Sequence, residues 1–234
     1  MTVQYEDIAG MIDHSLLHPT LTDAQMEEGC LLARRLKIAS VCVKPFFVSR
    51  ARELLKGSEV RVGTVIGFPH GGHTTETKRQ EALDACRNGA VELDMVVNIG
   101  KVLSEDWDYV RADIAAVQRV ASDHGAIVKV IFENCYLQDH HKIKLCEICS
   151  EVGVAFVKTS TGFGTSGATD EDIMLMRKHC PPTMQIKAAA GVRSLERALR
   201  VRELGCTRFG ATATAQILDE LKATLGEHPE RPRV

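Results

Sequence analysis

Two lysines sit 29 residues apart, each closing a short apolar run that leads into a glycine-containing turn: Phe156-Val157-Lys158-Thr159-Ser160-Thr161-Gly162 and Met184-Gln185-Ile186-Lys187-Ala188-Ala189-Ala190-Gly191. Desolvating an ammonium among apolar and small residues is costly, so a chain that does it twice uses the amines. A lysine with an ordinary pKa of about 10.4 is protonated at neutral pH and cannot attack a carbonyl. A second cation close by disfavours the charged form and frees the amine. The free amine can then form a carbinolamine and a protonated Schiff base, whose electron demand stabilises the carbanion left when a C–C bond is broken or made. Such chemistry needs a carboxylate to move protons.

The strand-like run Val91-Glu92-Leu93-Asp94-Met95-Val96-Val97 supplies one, because a period of two puts Glu92, Asp94 and Val96 on one face. The same alternation puts Lys158 with Ser160, and Lys187 with Gln185 and Ala189. If these faces point inward, two ammonium groups and a carboxylate converge. The plainer reading is an interior ion network that only neutralises itself.

These residues require a scaffold of parallel strands. β-rich runs near 11–17, 39–45, 61–68, 90–97, 127–133, 155–161, 184–190 and 207–211 alternate with amphipathic stretches. Thr22 and Gln25 form a capping box, Ser104, Asp139, Thr169 and Ser194 are expected N-caps, and Gly89, Gly125, Gly153 and Gly205 stand where helices should end. A helix over 104–124 carries Trp107, Val110, Ile114, Val117 and Ala121 on one face. Eight βα units without a composition break predict a single-domain α/β protein, a (β/α)8 TIM barrel over residues 1–225, with 226–234 as a polar, disordered tail. A Rossmann-type sheet is the alternative, but no Gly-x-Gly-x-x-Gly follows the first strand, and Gly67, Gly71 and Gly72 have the wrong spacing. In a barrel the chemistry gathers at the C-terminal strand ends. There the polar candidates are Asp13, Ser15, Cys42, Lys44, Glu92, Asp94, Asn98, Lys129, Glu133, Lys158, Ser160 and Lys187.

Of the 234 residues, 44% are apolar and 26% charged, with a net charge of −2 spread along the chain and only three Tyr and one Trp. That argues against nucleic acid as a partner. The first nine residues are acidic where a signal peptide would be basic, and no apolar run spans a bilayer, so a cytoplasmic protein with no membrane partner is expected. The eight cysteines are scattered and read as reduced thiols; Cys146 and Cys149 form a CxxC within a helical stretch, where the spacing also suits a buried face. His140 and His141 read as surface polar residues at a helix start, and His14 and His18 as packing or capping residues. His70 and His73 follow the third strand as loop residues near the substrate, too few to argue for a zinc site. No metal and no cofactor are expected. Lys129 either joins the inner charges or pairs with Glu133 or Asp94. A homodimer is the expected assembly.

In combination, Ile12-Asp13-His14-Ser15-Leu16-Leu17, Ser40-Val41-Cys42-Val43, Val65-Ile66-Gly67-Phe68-Pro69, Glu92 through Gly100, Val157 through Gly162 and Ile186-Lys187-Ala188 resemble the 2-deoxyribose-5-phosphate aldolases, class I aldolases with a (β/α)8 barrel. The resemblance covers nearly the whole chain. It implies that Lys158 is the Schiff-base lysine, that Lys187 perturbs its pKa, and that Asp94 takes part in proton transfer. It further implies that Asp13 supports the substrate hydroxyls and that Cys42 lines the aldehyde pocket; Ser15 and Thr161, in the first and fifth of these motifs, are the other substrate-binding candidates. The implied reaction is reversible cleavage of 2-deoxy-D-ribose 5-phosphate into acetaldehyde and glyceraldehyde 3-phosphate, so the partners are small sugar phosphates and aldehydes.

The chain departs from the family at the phosphate end, with Ala190-Gly191 for a common Gly-Gly, Thr212-Ala213 for a common hydroxyl pair, and a tail that ends without tyrosine. Gly162, Gly191 and Thr212 are the phosphate candidates. An aldolase for an unphosphorylated or different sugar is the near alternative, and a sugar-phosphate-binding barrel without turnover the distant one. Retention of both lysines and Asp94 speaks against the latter, which has no use for a second desolvated amine.

Overall fold

Strand and helix alternate until the sheet meets itself. The computed structural model describes residues 3–226. Its strands are β1 Ile12–Leu16, β2 Ser40–Val43, β3 Arg61–Ile66, β4 Glu92–Val96, β5 Ile127–Ile131, β6 Phe156–Lys158, β7 Gln185–Ala188 and β8 Arg208–Ala211. All pair in parallel with their sequence neighbours, and β8 closes on β1 through Asp13 opposite Gly210. The helices are α1 Tyr5–Ala9, α2 Asp23–Leu36, α3 Val48–Leu54, α4 Thr75–Asn88, α5 Ile99–Leu103, α6 Trp107–Asp123, α7 Asp139–Val152, α8 Asp170–His179, α9 Leu195–Glu203 and α10 Thr214–Leu225. This is a (β/α)8 TIM barrel. The tail expected from 226 onward lies outside the described residues except for Gly226, which ends α10 in the left-handed region.

Side-chain alternation divides the strands between two jobs. Val41, Leu93, Val128, Val157, Ile186 and Phe209 point outward and are buried against the helices, each worth about 1.5–3 kcal/mol of apolar burial. The residues between them point inward and carry most of the barrel's charge. No helix is long and apolar enough to cross a membrane among the described residues.

Helix boundaries follow local hydrogen-bond chemistry. Thr22, Thr169 and Ser194 cap α2, α8 and α9 by accepting backbone N–H bonds, as their types predict. Ser104 and Asp139 do not cap. The predicted helix 104–124 is broken by Glu105, left-handed at φ 54°, so Ser104 ends α5 and Asp106 caps α6 through Tyr109 N–H. At α7 the cap moves back to Gln138, whose N–H donates to His141 Nδ1. That bond also turns His141 inward against Trp107, with ring centroids 6.2 Å apart, so it is buried rather than a surface residue; His140 is exposed.

Candidate active site

β6 and β7 are adjacent, and their register sets Lys158 directly opposite Lys187. Both ammonium nitrogens hydrogen-bond to one atom, Asp94 Oδ2, at 2.7 Å each. Lys187 also lies 2.5 Å from Asp13 Oδ2. Deeper in the barrel Lys129 Nζ reaches Asp13 Oδ2 at 2.9 Å and Glu92 Oε2 at 2.5 Å. Arg208, from the start of β8, joins Asp13 to Glu92, with Nη2 to Glu92 Oε1 at 2.8 Å. Asp94 Oδ1 sits 3.1 Å from Lys129 Nζ but out of line for a hydrogen bond, so this buried oxygen has no hydrogen-bond partner among the described residues.

The surroundings of the buried bases in this network set one lysine apart. Its buried members are three carboxylates, Asp13, Glu92 and Asp94, and four bases, Lys129, Lys158, Lys187 and Arg208, and the exposed Arg61 adds a contact to Glu92 Oε1 at 3.4 Å. The buried bases outnumber the buried carboxylates, which disfavours a proton on the base least provided with anions. Lys158 is the one with the fewest anions. Burial, and then the neighbouring Lys187 cation, hold its pKa below the usual lysine value against the single opposing carboxylate of Asp94. Burial also disfavours the Lys187 ammonium, but Asp13 and Asp94 together outweigh it and raise its pKa. Lys129, between three acids, is raised further. For the Asp94 carboxyl burial alone would raise the pKa; Lys129, Lys158 and Lys187 overcome it, and Asp94 stays ionised. Burial and Asp94 push the Cys42 thiol up to about 11, so it is neutral and no nucleophile at physiological pH.

Above the network opens a cavity of about 330 Å³ lined by Asp13, Ser15 and Cys42, both lysines, and the loops after β6, β7 and β8. Of the residues given a role from the sequence, Asp13, Ser15, Cys42, Lys158, Thr161, Gly162, Lys187, Gly191 and Thr212 line it, and Asp94 lies buried beneath the lysines; of the other polar strand-end candidates, Lys44, Glu92, Asn98, Lys129, Glu133 and Ser160 do not line it. Lys129 does not pair with Glu133; the network holds it. His70 and His73 do not line the cavity, whereas His18 does. Three contributions were not foreseen. Arg208 starts a strand of otherwise apolar and small residues, a charge at an inward position that could have flagged it. Arg193 and Phe163 belong to the loops and carried no periodic signal.

The phosphate candidates come together at one side of the cavity. Gly162 and Gly191 have φ of 92° and 100°, and Ala190 keeps the left-handed turn at φ 62°, at a cost of about 1–2 kcal/mol for a residue with a Cβ. The Ala190 carbonyl accepts from Ala168 N–H at 3.1 Å, which holds this turn to the segment before α8. The first turn of α10 has no side-chain cap, and its Thr214 hydroxyl bonds instead to buried His14 Nδ1 at 2.8 Å. His14 is therefore a packing residue on the outer face of β1.

Metal-binding character is slight elsewhere. Glu105, His140 and His141 bring ligand atoms within 4.8 Å of one another. Because His141 Nδ1 accepts from Gln138 N–H, a neutral ring carries its proton on Nε2, the nitrogen facing Glu105, and that nitrogen is not free to ligate. Cys146 and Cys149 lie on the buried face of α7.

Residues 8–212 match the model of the DeoC/LacD family aldolase. The chain is 53% identical over 223 residues to a deoxyribose-phosphate aldolase of Rhodopirellula baltica, covering 95% of this chain and 92% of that one. It is 49% identical over 217 residues to the enzyme of the same name from Caldanaerobacter subterraneus subsp. tengcongensis, covering 92% and 94%. Among solved structures, the tetrameric deoxyribose phosphate aldolase from Aeropyrum pernix superposes with a TM-score of 0.88 at 28% identity, covering 94% of this chain and 93% of that one.

Proposed function

The chain belongs to the DeoC/LacD family of aldolases, and from that premise we propose that it reversibly cleaves 2-deoxy-D-ribose 5-phosphate into acetaldehyde and D-glyceraldehyde 3-phosphate through a Schiff base on Lys158. One observation carries the assignment of roles: two buried ammonium nitrogens share a single carboxylate oxygen at the floor of the cavity, and only one of them has its pKa lowered. Neutral Lys158 attacks the sugar aldehyde carbon. The carbinolamine loses water as protons pass through Asp94, whose Oδ1 has acceptor capacity to spare. The C3 hydroxyl gives up its proton, the protonated imine draws in the electrons of the breaking C2–C3 bond, and glyceraldehyde 3-phosphate departs; the enamine left on Lys158 is protonated on its terminal carbon, and hydrolysis of the resulting two-carbon imine releases acetaldehyde and the free amine. Lys187 stays charged, keeps Lys158 neutral, and holds Asp94 in place.

Asp13, Ser15 and Cys42 face the sugar chain in this reading, and Thr161, whose hydroxyl is bonded to Glu133, borders the cavity where the loop after β6 turns toward Gly162. The phosphate takes backbone N–H groups around Gly162 and Gly191, the uncapped start of α10 and the Thr212 hydroxyl, with Arg193 as the cation at the cavity wall. A homodimer is the proposed assembly, read by light scattering on a sizing column.

The test combines two measurements. Borohydride reduction in the presence of acetaldehyde should place the label on Lys158, and Lys158→Ala should lose both label and turnover while folding normally. Label on Lys187 alone would reverse the roles. Cleavage of 2-deoxyribose 5-phosphate should exceed that of 2-deoxyribose by well over about tenfold, the equivalent of roughly 1.4 kcal/mol. A smaller ratio would favour the aldolase for an unphosphorylated sugar.

A further inference from the structure

Glu133, just past the end of β5, breaks two rules at once. Alternation along β5 would send it inward with Lys129, toward the reacting lysines, and a glutamate rarely adopts positive φ. Yet its φ is 57° and ψ 61°, and it is buried to 2% exposure. The backbone shows what this conformation does. Phe132 N–H pairs with Lys158 O at 3.0 Å and Asn134 N–H with Thr159 O at 3.0 Å, so two residues' advance along one chain meets a single residue's advance along the other. The ladder bulges at Glu133, and the bulge turns its side chain out of the cavity and toward the loop after β6.

There the carboxylate takes hold of one turn. Glu133 Oε1 accepts from Thr161 N–H at 3.1 Å, and Oε2 accepts from the Thr161 hydroxyl in a short bond. The Thr161 oxygen in turn accepts from Phe163 N–H at 3.0 Å. Gly164 permits the close fit, since a Cβ there would stand 3.1 Å from the Glu133 carboxyl carbon. Between the two held amides lies Gly162, at φ 92° on the cavity wall. A strained, buried, charged residue with both carboxylate oxygens engaged on one loop persists only if the surroundings over-determine it, and such strain concentrates at functional sites.

We propose that Glu133 is a positioning residue for phosphate recognition: by fixing Thr161 and Phe163 it aims the Gly162 amide at the substrate phosphate. This rests on the phosphosugar reading above. Glu133 contacts none of the reacting groups, so its effect falls on binding of the phosphate end and not on the imine at Lys158. A carboxylate beside an anion site is otherwise unfavourable, and here its negative charge is absorbed by the loop's own N–H and O–H donors.

Glu133→Gly suits the test, because glycine adopts the left-handed conformation without strain and the clamp alone is lost. Glu133→Gln can keep both contacts, accepting from Thr161 N–H and donating to its hydroxyl. For Glu133→Gly the KM for 2-deoxyribose 5-phosphate should rise about tenfold or more, with kcat and kcat/KM for unphosphorylated 2-deoxyribose within about twofold of wild type. Borohydride trapping of acetaldehyde on Lys158 should persist, and Glu133→Gln should recover most of the lost affinity. Equal losses on both substrates, or failure of Glu133→Gln to rescue, would overturn the proposal in favour of a general structural role. An unchanged phosphate preference in Glu133→Gly would sink the clamp alone. Absence of that preference in the wild type would sink the phosphosugar reading and the clamp with it.

Discussion

At the scale of single residues, the two lysines differ by one carboxylate. Lys158 has Asp94 only, while Lys187 has Asp94 and Asp13, and this difference sends their proton affinities in opposite directions. Two substitutions separate the roles. Lys187→Met removes the cation that disfavours the Lys158 ammonium, so the pKa of Lys158 rises and the pH dependence of imine formation, followed by trapping rate, moves to higher pH; an unmoved profile would refute activation by charge. Asp94→Asn acts the other way. Lys158 loses its only anion and remains free, but the group proposed to move protons during carbinolamine dehydration is gone, so trapping of acetaldehyde should slow and turnover should fall roughly 10²-fold or more while the barrel stays folded. Wild-type-like trapping and turnover would leave Asp94 only a partner in the inner charge network.

At the scale of elements, the loops proposed to receive the phosphate are held by close backbone contact as much as by side chains. A Cβ on Gly167 would stand 2.2 Å from the Ala190 carbonyl oxygen, an approach only glycine tolerates. Gly167→Ala therefore has to push the loop after β7 away from the segment before α8, and the KM for the phosphorylated substrate should rise at least about tenfold with the Lys158 imine still trappable. An unchanged KM would show that this turn is not part of the phosphate site. Ala190→Gly should do the reverse on a small scale, relieving about 1 kcal/mol of left-handed strain. A second device is Lys78, fully buried between α4, α6 and the end of β4, which bonds Val96 O at 2.9 Å and Asp113 Oδ2 at 2.5 Å. It ties two helices to the strand that carries Asp94.

Across the whole molecule, buried charge makes stability depend on pH on the acid side. Burial lowers the pKa of His14 from 6.5 to about 4, so the unfolded chain takes up a proton that the native barrel refuses. The stability from a neutral His14 is complete above pH 6.5, declines as pH falls toward 4, and amounts to roughly 3 kcal/mol. Asp13, Glu92 and Asp94 are lowered by their cations despite burial. They add a second loss that begins as pH falls below the ordinary carboxylate range and continues through their native values. Thermal melts across this range should show both declines in the wild type and a reduced upper one in His14→Gln, because burial lowers the pKa of His141 as well. A variant that retained the full upper decline would place its origin elsewhere.

Much of this was legible in the linear chain, for identifiable reasons. Strand order and barrel closure followed from eight regularly spaced apolar runs, because periodicity is a local property. Lys158, Lys187 and Asp94 stood out because charge inside an apolar strand is anomalous wherever the strand lies. Helix ends were read well where a hydroxyl cap met an ordinary backbone and missed at Ser104 and Asp139, where a left-handed Glu105 and the inward turn of His141 moved the cap. What the chain could not express was which charges meet. Arg208 joins Asp13 from 195 residues away, and Lys129 reaches it from 116. Only closure of the barrel brings four buried bases to three carboxylates, and the share of those carboxylates that each lysine receives sets Lys158 apart. The turn at Glu133 was equally hidden, since alternation alone would have aimed it at the lysines, and only the bulge against β6 aims it at Thr161.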